Sequence, residues 1–274
     1  MESIIAKLDN MGFVNIRILK QAKLKAKTAS AAVSDPAVYL YQRNFTCPVC
    51  EMDFQNWFPR SSKLRLEDTD LDLRPRYAPF DLTYYDVALC PFCGYGAMVK
   101  YFYNITQLKD GMIETHVTPN YIYHDYPSAY TVEIAIERYL VALLNTLVKG
   151  SGSSERAYLC LRISWLNRDK NDFAQEALFR QYALSGFKTA LAEETAPYCG
   201  MDDATIYYLV AELSRREGDT ENAALYISKA LASGSVNGRL REKILEVKKL
   251  IKRDKAKEET LAPFKNIIRG LYGE

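Results

Sequence analysis

Histidine is nearly missing from this chain: His116 and His124 are the only two among 274 residues. That scarcity narrows the catalytic options, because most general acid–base and metal-hydrolase chemistry draws on imidazole. No Gly-x-Ser-x-Gly elbow and no His-Glu-x-x-His helix is present, which removes the common serine-hydrolase and metalloprotease signatures. The Gly150–Ser154 run lacks both the Gly-Lys-Ser/Thr ending and a preceding strand that a phosphate loop needs. Uninterrupted apolar runs of about 18 residues are absent as well, so nothing reads as a membrane span. Charge leans neither way. With 36 basic and 34 acidic residues the net charge is +2, which gives no whole-chain footprint for nucleic acid. Met1–Lys27 is broken by Lys7, Asp9, Arg17 and Lys20 and has no secretory pattern, so the expected location is cytoplasmic.

Six cysteines are present, and four of them form two matched pairs, Cys47-Pro48-Val49-Cys50 and Cys90-Pro91-Phe92-Cys93. Two intervening residues let both thiolates of a turn face one cation, and two such turns complete a tetrahedron. A closed four-sulfur shell is the structural zinc site, with no open position for substrate. One Zn²⁺ per chain on Cys47, Cys50, Cys90 and Cys93 is the expectation. Gly94 follows the second pair, where a left-handed residue is needed; Glu51 occupies the same place after the first. Cys160 and Cys199 lie in helical surroundings and read as ordinary thiols. Thiols destined for a metal must stay reduced, which also suits the cytoplasm.

The expected fold class is α+β: a small zinc-ribbon-like β module followed by an all-α tetratricopeptide-like helical repeat domain. Residues 1–40, with a weak pattern of Ile4, Ile5, Leu8 and Met11 and a purer basic run of Lys20, Lys23, Lys25 and Lys27, read as a helical or mobile arm. Residues 41–107 form the zinc module. Asn44–Thr46 and Met52–Phe58 predict a hairpin across the first cysteine turn, Lys63–Leu66 a half-buried strand, and Thr83–Leu89 a strand running into Cys90. Between Cys50 and Cys90 lie 39 residues, more than the usual ribbon interval of about 15–20, so an inserted strand and the acidic, proline-bearing loop Asp68–Pro79 are expected. Ala97, Met98, Tyr101, Phe102 and Ile105 have helical spacing. Residues 108–127 read as a linker, 128–259 as the helical domain and 260–274 as a tail.

Within the helical stretch the chain repeats itself. A shift of 47 positions superimposes Ala157, Leu166, Arg168, Asp172, Ala177 and Leu178 on Ala204, Leu213, Arg215, Asp219, Ala224 and Leu225. Leu209–Leu231 has the cadence of a tetratricopeptide repeat, with a Gly218-Asp219 turn and small residues where two helices would cross; the earlier copy has Asn171 in place of the glycine. The basic stretch Arg239–Lys257 is interleaved with acids and reads as a solvated helix face.

Taken in order, Cys-Pro-Val-Cys, Pro59–Arg65, Tyr84-Tyr85-Asp86-Val87 and Cys90–Tyr95 resemble the bacterial family known as domain of unknown function 2225, over roughly residues 44–232. The resemblance implies a bacterial cytoplasmic protein with a zinc-ribbon-like front and a helical-repeat back, and it carries no activity. The leading functional expectation is a non-enzymatic adaptor or scaffold that binds a protein or peptide on its helical surface. The runner-up is a nucleic-acid-binding zinc protein using Arg60, Lys63, Arg65, Arg74 and Arg76 for phosphates and Tyr84 and Tyr85 as stacking faces, although Glu67, Asp68, Asp70 and Asp72 offset that charge. The third is an enzyme that would assemble Glu114, His116, His124 and Asp125 into a second metal site, at a spacing that matches no helical ligand pair.

Overall fold

The computed structural model describes residues 38–272. The arm, with its Ile4–Met11 pattern and its run of lysines, therefore lies outside the described residues apart from its last three. The fold class is α+β: short antiparallel strand pairs precede and accompany seven helices among the described residues. No described helix is long and apolar enough to cross a membrane.

Two compact units interleave along the sequence. The first takes residues 38–67, 76–151 and 162–176; the second takes 68–75, 152–161 and 177–272.

In the first unit β1 (Leu40–Thr46) pairs antiparallel with β2 (Asp53–Pro59), Leu40 opposite Pro59 and Thr46 opposite Asp53. The period of two in β2 turns Phe54, Asn56 and Phe58 inward. Phe45 answers from β1, its ring 5.5 Å from Phe54 and 5.4 Å from Phe102. A second hairpin joins β5 (Val87–Leu89) to β6 (Gly96–Met98), with all six residues buried. The expected hairpin across the first cysteine turn is therefore present, and the second turn sits on a hairpin too. Two local readings need correction. The strand expected over Thr83–Leu89 exists only from Val87, because Asp81 accepts the Thr83 N–H (2.8 Å) and winds Leu82–Tyr85 into a 3₁₀ turn. The helix expected over Ala97–Ile105 is instead β6 and a 3₁₀ turn, since ladder bonds to β5 claim the backbone of Gly96–Met98. Helix α1 (Gln107–His116) begins later, at the end of the expected zinc module, occupies the first part of the stretch expected as a linker, and buries Ile113 in the core. Helix α2 (Val132–Val148) is capped by Thr131 and lays Ala135, Tyr139 and Ala142 on the two hairpins' unit.

In place of the strand expected over Lys63–Leu66, the chain forms β3 (Arg65–Thr69), which pairs with β4 (Pro75–Ala78). The residues at its tip, 68–75, are not the solvated loop their composition suggests but part of the second unit. There Leu71 and Leu73 pack on a helical core, Tyr208 donates to the Leu71 carbonyl (2.6 Å), and buried Asp72 pairs with Arg216 (3.0 Å). After α3 (Ser153–Asp169) and α4 (Phe173–Glu193), this core is built from α5 (Asp203–Arg216), α6 (Thr220–Ala232) and α7 (Gly238–Tyr272). Ala204, Tyr208 and Ala211 meet Ala223, Ile227 and Ala230, and α7 closes them with Leu240, Ile244, Val247 and Ile251. Alanines at i, i+7 spacing let the helix surfaces approach closely. Helix α7 continues to Tyr272, through most of the expected tail.

The 47-residue repeat is visible in the backbone of its turns. Lys170, Asn171 and Asp172 N–H groups donate to Leu166, Arg168 and Asn167; Glu217, Gly218 and Asp219 donate to Leu213, Arg215 and Ser214. Both turns then place an aspartate as cap, with Gln175 N–H on Asp172 and Asn222 N–H on Asp219. Asn171 (φ 60°) adopts the left-handed conformation that Gly218 (φ 81°) adopts in the later copy.

Candidate metal centre

Each cysteine pair occupies the tip of a hairpin, and the two tips have the same hydrogen bonding. Cys47 N–H donates to Met52 O (3.0 Å) and Glu51 N–H to Cys47 O (2.9 Å); Cys90 N–H donates to Tyr95 O (2.8 Å) and Gly94 N–H to Cys90 O (3.1 Å). Both turns end in a left-handed residue, Glu51 at φ 59° and Gly94 at φ 73°. Glycine is required at the second: a Cβ on Gly94 would lie 2.4 Å from the Tyr121 ring.

The four sulfurs converge. Cys47 Sγ is 3.6 Å from Cys93 Sγ, Cys50 Sγ is 3.6 Å from Cys90 Sγ, and all four lie within 4.8 Å of one another. Ligands about 2.3 Å from a tetrahedral ion stand roughly 3.8 Å apart, so the sulfurs have the spacing of a four-coordinate shell. Cys47, Cys90 and Cys93 are buried among Phe45, Phe54, Tyr95 and Phe102, with Cys50 at the margin. The sulfurs cannot all ionise unaided. Hydrogen bonds shared with Cys90 and then Cys93 lower the pKa of the Cys47 thiol, and the bonds each makes to Cys47 raise those of Cys90 and Cys93. Only a cation that displaces the shared protons lets four thiolates coexist at this distance. The donor set fits a metal ion.

A layer of polar residues holds the two tips in place. Asn56, turned inward on β2, accepts from Leu89 N–H (3.0 Å) and donates to Leu89 O (3.3 Å), which ties the first hairpin to the second. Arg138 on α2 donates to Asn56 Oδ1 (2.6 Å) and Val87 O (2.8 Å), with its guanidinium over the Tyr126 and Tyr130 rings. Asn145 donates to Gly94 O (3.0 Å) and the Thr118 hydroxyl to Cys93 O (3.0 Å). No motif in the sequence points to these four. Asn56, Arg138 and Asn145 do leave a signal, because each interrupts an inward-facing apolar pattern.

Other expected site residues are dispersed. Arg60, Lys63 and Arg65 are exposed, Arg65 beside Glu67 (3.0 Å). Tyr84 is half-buried and donates to Asp169 (3.2 Å). Tyr85 is corrected outright as a stacking surface: at 4 % exposure, with its ring 4.5 Å from Tyr130, it has no face to offer. Arg74 is buried and Arg76 pairs with Asp169 (3.3 Å). The second metal site is not assembled either. Among the described residues the four cysteines are the sole such group of His, Cys, Asp and Glu ligands, while His124 is paired with Glu137, which also accepts from Tyr126 (3.0 Å). Burial is the main force raising the Tyr126 hydroxyl pKa.

No curated protein and no solved structure matches the chain. A family model described as an uncharacterized protein conserved in bacteria (DUF2225) matches residues 40–251, a span that holds both cysteine turns and the repeated helix turns. The chain belongs to that bacterial family.

Proposed function

We propose that Cys47, Cys50, Cys90 and Cys93 hold one zinc ion as a structural clamp, and that the protein is a non-catalytic adaptor binding a protein or peptide partner through its helical, tetratricopeptide-like surface. One observation carries the reading: four sulfurs at tetrahedral spacing, on the tips of two hairpins and inside an aromatic core. Such a shell leaves no coordination position for substrate, and its metal-binding free energy is folding free energy. Soft thiolates in a tetrahedral set favour zinc among the common ions, and a reducing cytoplasm keeps them available. The partner surface draws support from α6, where Leu225 and Leu231 are exposed and Lys229 lies 4.8 Å over the Tyr226 ring.

The test is metal content on untagged protein, with thiol titration alongside and Leu225→Glu/Leu231→Glu as the surface variant. One zinc per chain with four protected thiols, together with a partner interaction lost in that variant at unchanged zinc content, is the expected result. Metal-free protein with four reactive thiols would defeat the clamp. A partner interaction indifferent to the α6 variant would defeat the surface.

A further inference from the structure

On the sequence alone the acids scattered through Arg239–Lys257 offset its bases. The fold separates them only over residues 248–257; upstream, Glu242 and Glu246 stay exposed among the bases. Leu240, Ile244, Val247 and Ile251 turn one side of α7 into the core. Asp254 follows them: it is half-buried and accepts from Arg215 (2.8 Å), with Arg253 3.6 Å from its other oxygen. Glu258 accepts from the Thr220 hydroxyl (3.1 Å). What stays exposed within 248–257 is cationic, with exposed Glu246 just before the stretch and exposed Glu258 just after it. Between 248 and 257 the helix carries Lys248, Lys249, Lys252, Arg253, Lys255 and Lys257, all exposed, with Asp254 as the one acid. None of the five lysines has an ion-pair partner among the residues whose side chains are described. Lys248, Lys252 and Lys255 follow the i, i+4, i+7 row of a single face.

We propose that this face of α7 binds the phosphate backbone of a nucleic-acid duplex without base selectivity. Lysine is a compact point charge suited to phosphate, and lacks the planar fork with which arginine reads guanine. From 248 to 257 the helix rises roughly 13 Å, along which a duplex presents about eight phosphate charges. A membrane surface is the poorer match, because lying in an interface requires an apolar face, and beside these lysines Leu240, Ile244, Val247 and Ile251 are committed to the core. The surface is independent of the zinc site and of the adaptor reading.

The probe is a fluorescent 20-base-pair duplex of random sequence, titrated with the full chain at several salt concentrations. Binding should weaken with a log–log salt slope of about −4, the value for four to five neutralised phosphates. Lys248→Gln/Lys252→Gln/Lys255→Gln should flatten the slope by roughly 3 and lower affinity at least tenfold near 0.1 M salt, with helical circular dichroism and melting unchanged. Arg60→Gln/Lys63→Gln/Arg65→Gln should leave the slope unaltered. No binding at 50 mM salt would overturn the proposal. So would binding abolished by the Arg60 set and not by the α7 set, or binding to phosphatidylserine vesicles in place of the duplex.

Discussion

Glu51 and Gly94 occupy equivalent places in two turns with the same hydrogen bonds, yet glycine is needed at one alone. At Glu51 the cost of a side chain is backbone strain in the left-handed region, about 1 kcal/mol. At Gly94 the strain is joined by collision with Tyr121. Glu51→Gly should therefore leave stability unchanged or raise it by about 1 kcal/mol, whereas Gly94→Ala should lower it by about 3 kcal/mol; urea denaturation of the two variants measures both. Asn56 is the other residue on which the site depends. Truncating it leaves Leu89 N–H and one Arg138 contact without their partner inside the core. Asn56→Ala should cost about 3 kcal/mol, since buried donors lose a bond that water cannot replace. A loss below about 1 kcal/mol, the net worth of an ordinary hydrogen bond, would mean that water reaches those donors.

At the scale of elements, the turn between α5 and α6 depends on Asp219, whose carboxylate accepts from Asn222 N–H (3.0 Å) and its side-chain amide (2.7 Å). Burial works against ionisation here, but the hydrogen bonds from Asn222 outweigh it and hold the carboxyl below its usual range. A lowered folded value means that the cap contributes in full above the ordinary carboxylate pKa of about 3.9 and is lost as pH falls through the folded value. Asp219→Ala should cost about 1 kcal/mol at neutral pH and flatten this acid-side decline. Melting curves of the variant and the parent between pH 6 and pH 3 would expose a flat difference if the cap were idle. At Gly218 in the same turn a Cβ would meet nothing within 4 Å, so alanine there faces only the left-handed strain and is tolerated better than at Gly94.

For the whole molecule a metal ion held by the four cysteines would be the largest single contribution. The cysteines belong to a cluster that also holds Phe45, Phe54, Tyr95, Phe102 and Val148, so loss of the ion leaves like-charged or proton-sharing sulfurs in the middle of an apolar core. Free energies for structural zinc are roughly 10 kcal/mol or more. Stripping the ion with a strong chelator, or introducing Cys47→Ser, should therefore abolish cooperative melting of the cysteine-bearing unit, read by the fluorescence of Trp57 on β2. An unchanged melting curve with the metal gone would show that the aromatic core holds the hairpins without it.

Much was legible from short-range pattern. The Cys-x-x-Cys spacing, the alternation of Phe54, Asn56 and Phe58, and the 47-residue repeat with its Gly-Asp turn are local signals, and each corresponds to a local geometry that neighbouring backbone groups can complete on their own. The sequence by itself determined two cysteine turns, an α+β order and a run of capped helices. Long-range packing decided the rest. Residues 68–75 leave the strand module because Leu71, Leu73 and Asp72 find apolar and cationic partners far along the chain, at Tyr208 and Arg216. Ala97 and Met98 form a strand because β5 stands beside them, and Tyr85 is lost as a surface because Tyr130 covers it. Tertiary structure alone also drew Asp254 of α7 inward to Arg215 and left the lysines of 248–257 exposed, since which side of a helix is buried depends on what packs against it.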